Sequence, residues 1–219
     1  MNYLVIDLEM CMVPKHYRGK QYNYAREIIQ IGAVLLDEDY KQIGTIRQYV
    51  HPEHGVIDHF IENLTGIQGN QVKKAPKLQE AMHHMLDWLG DREYRVLAWS
   101  GSDHAQFQHE ISCKHLQDAR IEGFMNPECW VDYQDVFGKR YDFKQPVSLE
   151  DALVYCDMEP DGRLHDGLDD ALNTARLIET LESDPDFQLT YPAQDVEVES
   201  QPLNTCLGDL FSGLNIRFA

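Results

Sequence analysis

Five side chains in this sequence combine types and spacings that could do chemistry together. Asp7 and Glu9 close the apolar run Tyr3-Leu4-Val5-Ile6-Asp7-Leu8-Glu9. Asp103 follows a second apolar run, Arg95-Val96-Leu97-Ala98-Trp99. His165 and Asp170 open the last strong helical pattern, in His165-Asp166-Gly167-Leu168-Asp169-Asp170-Ala171. Hard divalent cations take oxygen ligands, and carboxylates supply them. A neutral imidazole five residues before the last carboxylate adds a base for an attacking water.

Each group also has a plainer reading. Positions i and i+2 of a strand share a face, so Asp7 and Glu9 point the same way as Tyr3 and Val5. Two carboxylates on one side of so apolar a strand repel each other and resist desolvation; either a cation lies between them or the strand runs out into solvent. On a helical wheel Asp169 falls with Asn173, Arg176 and Thr180, a polar face, whereas Asp170 falls with Thr174, Leu177 and Leu181, an inward one. Asp170 could also serve only the helix dipole. Asp103 has the place of a helix N-cap, with Gln106 as its reciprocal partner, yet it leans to the side of Phe107 and Ile111. His165 sits on a loop next to Gly167.

These groups must be positioned by the elements around them. Residues 3–9, 27–36, 43–50 and 95–99 read as strands, with Asp37-Glu38-Asp39 as a hairpin turn and Pro52 as a stop. Helical spacing marks 57–64, 77–89, 103–116, 148–156 and 167–182, with Gly90 ending the second and Ser148 with Asp151 opening the fourth. Three strands in a row followed by alternating strand and helix is a mixed α/β pattern, an antiparallel half joined to a parallel half. After residue 183 periodicity fades. Prolines 185, 192 and 202 make 184–205 a linker. Leu207, Leu210, Phe211, Leu214, Ile216 and Phe218 are apolar enough to dock somewhere. The expected division is a domain over 1–183 and an acidic linker and tail over 184–219.

The chain has 219 residues, 43% of them hydrophobic, which suffices for one α/β core. No apolar stretch approaches the roughly 18 residues of a membrane span. The N-terminus lacks the basic region of a signal peptide. The five cysteines show no CxxC pair and no ligand spacing, which fits a reducing, cytoplasmic setting. A net charge of −18 argues against a protein that coats nucleic acid, since that needs many Lys and Arg. It leaves room for an enzyme that grips one strand end through metal ions. The charge is uneven. Residues 182–219 hold seven acids against Arg217 alone, while 10–26 hold no acid and include Lys15, His16, Arg18, Lys20 and Arg26. Tyr17, Tyr22 and Tyr24 interleave with those bases, a composition suited to phosphates and stacked bases of a single strand or simply to a polar loop.

Taken together, the order Asp-x-Glu, Asp, His-x4-Asp resembles the DnaQ-like (DEDDh) 3′–5′ exonuclease superfamily, over roughly residues 3–182. Glu27-Ile28-Ile29-Gln30-Ile31-Gly32-Ala33 is similar to that family's second strand, and Leu64-Thr65-Gly66-Ile67 to its loop beside the terminal nucleotide. The sister branch carries a tyrosine four residues before the last aspartate; here that position is Asp166, so the histidine branch is the match. Within it the chain resembles the enhanced-RNAi exonucleases and their KapD-like bacterial relatives. The resemblance implies an RNase H-like fold with a mixed five-stranded sheet flanked by helices, and two divalent cations, Mg²⁺ or Mn²⁺. It implies Asp7, Glu9, Asp103 and Asp170 as metal ligands, His165 as the base, and nucleoside 5′-monophosphates released from 3′ ends. It places Met10, Leu64, Thr65, Gly66 and Ile67 against the terminal nucleotide, and Lys15, Arg18 and Lys20 are the candidate phosphate contacts. Single-stranded RNA is slightly favoured over DNA as substrate. The other class of function is a regulatory protein on a nuclease fold, binding a protein partner or a second copy through the 206–219 tail.

Overall fold

A computed structural model describes residues 1–19 and 22–190; Lys20 and the 206–219 segment lie outside the described residues. In chain order the elements are β1 (Asn2–Met12), β2 (Arg26–Leu36), β3 (Gln42–Tyr49), α1 (His59–Thr65), α2 (Gly69–Val72), α3 (Leu78–Leu89), β4 (Tyr94–Ala98), α4 (Ser102–Cys113), α5 (Ala119–Phe124), β5 (Trp130–Asp132), α6 (Tyr133–Arg140), α7 (Leu149–Tyr155) and α8 (Gly167–Ser183). The five strands form one sheet in the order β3-β2-β1-β4-β5. β3, β2 and β1 pair antiparallel, while β1, β4 and β5 pair parallel. The mixed α/β expectation is met, with β1 as the strand where the two halves join.

The two-residue period of β1 sorts its side chains. Leu4, Ile6 and Leu8 enter one core with α3 and α4 residues such as Met85 and Phe107. Val5 enters the other, with Leu97, Phe137, Leu153, Leu177 and Ile178. Asp7 and Glu9 continue the Val5 side, the side on which α8 packs.

β2 prepares that side for the helix. Opposite Asp7 stands Gly32, and opposite Glu9 stands Gln30. A Cβ on Gly32 would lie 2.0 Å from the backbone carbon of Gly167. Only a glycine therefore lets the start of α8 settle on the sheet, and this bare patch brings Asp170, one turn into the helix, over Asp7.

Four strands were legible from periodicity. β5 was not, because three residues of which Trp130 and Val131 are only half-buried carry too little pattern. α5 and α6 also fall in the stretch left unassigned; α6 shows that Tyr133 and Phe137 are its buried side. Residues 184–190 do not leave the domain as a linker. Arg140 donates to the carbonyls of Leu181, Asp184 and Pro185 at 2.8, 2.8 and 2.9 Å, and Phe187 and Leu189 pack against the α8-side core. The four cysteines among the described residues are free. Among the described residues no helix is long and apolar enough to cross a membrane.

Candidate active site

Asp7 and Glu9 lie on β1 just past Ile6, the last residue paired with β4, which ends at Ala98. In open α/β sheets the crevice beyond the strand ends, where strand order changes direction, is where ligands bind. Here that crevice is a cavity of about 300 Å³ lined by Asp7, Met10, Asp103, His165, Asp170 and neighbours that include Trp99 and Gln134. None of its described lining residues is a lysine or arginine.

Asp103 is not the N-cap of α4. The cap position is Gly101, and Asp103 lies in the first turn, buried, accepting a hydrogen bond from the Leu8 amide at 3.1 Å. Gln106 donates instead to Glu110 at 3.1 Å. The inward lean toward Phe107 therefore decides the orientation of Asp103, since the β1 amide between Asp7 and Glu9 supplies the donor.

Asp170 is buried and Asp169 half-exposed, as the helical wheel requires. Asp166 caps α8, accepting from the amides of Leu168 and Asp169 at 3.1 and 3.3 Å. His165 precedes it with φ 61°, in the left-handed region. Its ring is exposed, and its amide donates to Asp170 at 2.9 Å. Ligand atoms of Glu9, His165 and Asp170 lie within 4.8 Å of one another, close enough to share one cation.

Four acids crowded into one desolvated space cannot all ionise freely. Burial raises Asp7 well above the usual carboxylate range, and the charges of Asp103, Asp170 and Glu9 push it further. Burial, with Asp170 next, pushes Glu9 up to about 8. Burial lifts Asp103 to about 7 against the Leu8 hydrogen bond, and Asp170 to about 6 against the bond from His165. No lysine or arginine lines the cavity to compensate them, and the histidine beside Asp170 offsets only part of its rise. A donor set of carboxylate oxygens with one imidazole beside them, electrostatically strained in this way, fits a divalent cation and no anion.

The residues expected beside a substrate divide into two groups. Met10 lines the cavity. Leu64 and Gly66 are half-exposed at the end of α1. Thr65 and Ile67 instead face inward: the Thr65 hydroxyl donates to Ile61 and accepts from the Ile67 amide, and Ile67 joins a buried cluster with Ile29 and Ile61. Their side chains shape the loop and leave only their own backbone to face a substrate. Lys15 is exposed and Arg18 half-exposed, with Arg18 Nε donating to Val13 at 2.9 Å. Of the three tyrosines only Tyr17 is freely exposed. Tyr22 is buried and packs at a tilt against His54, and Tyr24 stacks on His109.

Two supports of the site and one exposed ring have no signature in the spacing of the sequence. Gln30 is fully buried; its carbonyl accepts from Gly167 at 2.5 Å and its amide donates to Asp166 at 3.3 Å. Arg47 bridges Asp166 and Asp169 at 2.8 and 2.9 Å. Together they pin the start of α8 to the sheet; the signal was a lone polar residue inside Ile28-Ile29-Gln30-Ile31. Phe60, one helical turn before Leu64, is 67% exposed, which no periodicity in the sequence indicates.

This arrangement, four carboxylates and a histidine gathered from β1, α4 and the start of α8 around a mixed five-stranded sheet, is that of DEDDh exonuclease domains of RNase H-like fold. A model of the exonuclease family (RNase_T) matches residues 4–178, and the chain belongs to that family. Human 3′-5′ exoribonuclease 1 is 30% identical over 168 residues, covering 73% of this chain and 47% of the relative. Human ERI1 exoribonuclease 2 is 29% identical over 197 residues, covering 80% of this chain and 27% of the relative. The chain thus spans about half or less of the length of these relatives. The nuclease domain of 3′hExo, a DEDDh family member bound to rAMP, superposes with a TM-score of 0.70 at 23% identity, covering 88% of this chain and 97% of that one. The enhanced-RNAi group expected from the motifs is the group these relatives belong to.

Proposed function

We propose that the chain is a metal-dependent 3′–5′ exonuclease that hydrolyses single-stranded nucleic acid, RNA in preference, to nucleoside 5′-monophosphates. The observation that carries this reading is the convergence of Asp7, Asp103, Asp170 and His165 on one cavity lined by no lysine or arginine, with a Glu9 oxygen within 4.8 Å of the His165 and Asp170 ligand atoms. Asp7, Glu9 and Asp170 would hold the first of two divalent cations, Mg²⁺ or Mn²⁺, Asp7 would share the second, and Asp103 would support both sites from beside the Leu8 amide. Such cations, when bound, offset charge on the attacking and leaving oxygens of a phosphodiester.

The chain's own groups do the rest. The ring of His165 is open to solvent while its backbone is fixed to Asp170, so it can take the proton of the attacking water and pass it to bulk. The water oxygen bonds to phosphorus as the bond to the 3′-oxygen breaks, and that oxygen is protonated on the shortened strand. Phe60 and Leu64 share one side of α1 and offer an apolar surface to a terminal base. Lys15, Tyr17 and Arg18 would meet the strand further along, by phosphate pairing and stacking.

The preference for RNA is supported by the two relatives, which are exoribonucleases by name, and by the rAMP held by the 3′hExo domain. The test is a time course on 5′-labelled single-stranded RNA and DNA of one sequence with Mg²⁺, Mn²⁺ or chelator, beside Asp7→Ala. A ladder shortening from the 3′ end that needs metal and is absent in the variant establishes the activity; equal hydrolysis by Asp7→Ala sinks it. A faster rate on DNA reverses the substrate preference.

A further inference from the structure

We propose that Arg163 is a positioning residue that clamps the His165 loop to the end of α1, so that the base is held in register with the edge against which the terminal nucleotide rests. The inference rests on the reading of His165 as the base.

The loop that presents His165 is conformationally costly. Asp157 and His165 have positive φ, at 56° and 61°, a region that non-glycine residues enter only when neighbours hold them there, whereas Gly162 at 79° enters it freely. Most of its restraints come from α8. The Asp161 amide and carbonyl bond the Asn173 side chain at 2.9 Å each, the Arg163 amide donates to Asp169 at 2.8 Å, and the His165 amide donates to Asp170 at 2.9 Å. These bonds tie the loop to the helix that follows it in sequence. They do not relate it to the other side of the cavity.

The Arg163 side chain does. One guanidinium nitrogen, Nη2, donates to the carbonyl of Asn63 at 2.7 Å and lies 3.5 Å from that of Leu64. Among the described residues these are the hydrogen bonds that join the His165 loop to α1. Both carbonyls belong to the last turn of α1, where the helix leaves its acceptors unpaired and its dipole favours a cation. The guanidinium lies flat against Gly66. A Cβ there would come 2.5 Å from Nη1 and 2.7 Å from Cζ, and Gly66 itself has φ 74°. Gly66 is thus required by the left-handed end of α1, and its lack of a side chain leaves room for the arginine tip against it.

The consequence is a mechanical link. Leu64 and Phe60 lie on α1, His165 is two residues from Arg163, and the arginine spans the gap. Displacing a catalytic group by about 1 Å can cost on the order of 100-fold in rate. Removing the Arg163 side chain alone leaves the His165 amide on Asp170 at 2.9 Å, so the loss should appear in kcat while metal binding and fold are kept.

The test is a double-mutant cycle on the full chain with 5′-labelled single-stranded RNA and Mn²⁺, using R163A, H165A and R163A/H165A. The clamp predicts that R163A lowers kcat by about 10- to 100-fold with KM changed much less. It also predicts that R163A adds no further loss on the H165A background, that Mn²⁺ binding by calorimetry and the melting temperature stay at wild-type values, and that added guanidinium ion restores part of the rate. An R163A enzyme with wild-type kcat overturns the proposal. So does a loss that is fully additive with H165A, which would mean that the arginine acts on the strand itself, or a loss accompanied by failed Mn²⁺ binding, which would make it a plain structural prop. If R163A does not fold, R163K decides: it keeps the cation but not the flat double contact, and wild-type kcat in it overturns the clamp. A fully active H165A removes the base reading, and with it the route through which Arg163 acts. An inactive H165A beside a fully active R163A removes the clamp alone.

Discussion

The amide of Leu8 donates to the carboxylate of Asp103 at 3.1 Å, across 95 residues of sequence. Leu8 stands between Asp7 and Glu9, so this one bond sets the third carboxylate against the strand that carries the first two. Asp103→Ala leaves a buried amide without a partner, which costs about 1–3 kcal/mol, whereas Asp103→Asn retains an acceptor. Urea unfolding is expected to separate the two variants by that margin. Both are expected to lose nuclease activity, because neither supplies the charge.

Metal-free protein is expected to lose stability as pH rises from about 5 to 8. Asp170, Asp103 and Glu9 are raised by burial to about 6, about 7 and about 8. An acid whose folded pKa exceeds its unfolded value, near 4, contributes fully below that value, and its contribution is lost as pH rises through the folded one. A divalent cation bound to the ionised cluster reverses the slope, so Mn²⁺ should raise the melting temperature more at pH 8 than at pH 5. Melting curves in chelator and in Mn²⁺ measure both arms. Asp170→Asn should flatten the chelator arm; a chelator arm that climbs with pH contradicts the crowded site.

Gly32→Ala tests the contact between β2 and α8. The new methyl would overlap the backbone of Gly167, and backbone cannot move aside as a flexible side chain can. Overpacking of this kind costs about 1–3 kcal/mol and at times more. Because the start of α8 carries Asp170, activity should fall with stability, read by denaturant unfolding beside the RNA assay.

Lys114 holds a buried ion cluster away from the cavity. Its ammonium lies 2.8 Å from Glu27, 2.9 Å from Glu110 and 3.3 Å from Glu53, with its side chain 6% exposed. Glu27 in turn accepts from the amides of Glu53, His54 and Gly55, fixing the segment that leads into α1. Lys114→Met strands two buried carboxylates and should cost about 3–5 kcal/mol. Chemical denaturation measures it, with Mn²⁺ affinity expected unchanged.

Phe60→Ala should leave the melting temperature unaltered, since the ring is 67% exposed. Stacking of a base on an aromatic ring is worth about 1–3 kcal/mol, so KM for single-stranded RNA is expected to rise about tenfold with kcat retained. An unchanged KM places the terminal base elsewhere.

The sequence alone carried the carboxylates and much of the frame. The two-residue period placed Asp7 and Glu9 on one side of β1, the helical wheel turned Asp170 inward and Asp169 outward, and apolar runs gave four strands. These are local regularities, written in the spacing of side chains. The fifth strand came only with the family resemblance, because three half-buried residues hold no period. Other features could be decided only by the packed molecule. The choice of Leu8 over an N-cap role for Asp103, the inward turn of Thr65 and Ile67, the loss of Tyr22 to the core and the seating of α8 on Gly32 all depend on which backbone arrives opposite. So do the links from Gln30 to Asp166 and from Arg163 to Asn63, which join residues about one hundred or more positions apart. Spacing along a chain encodes which side of its own element a residue occupies. The partner it meets there is set by the register between elements, and that register is fixed only when the cores on both sides of the sheet close.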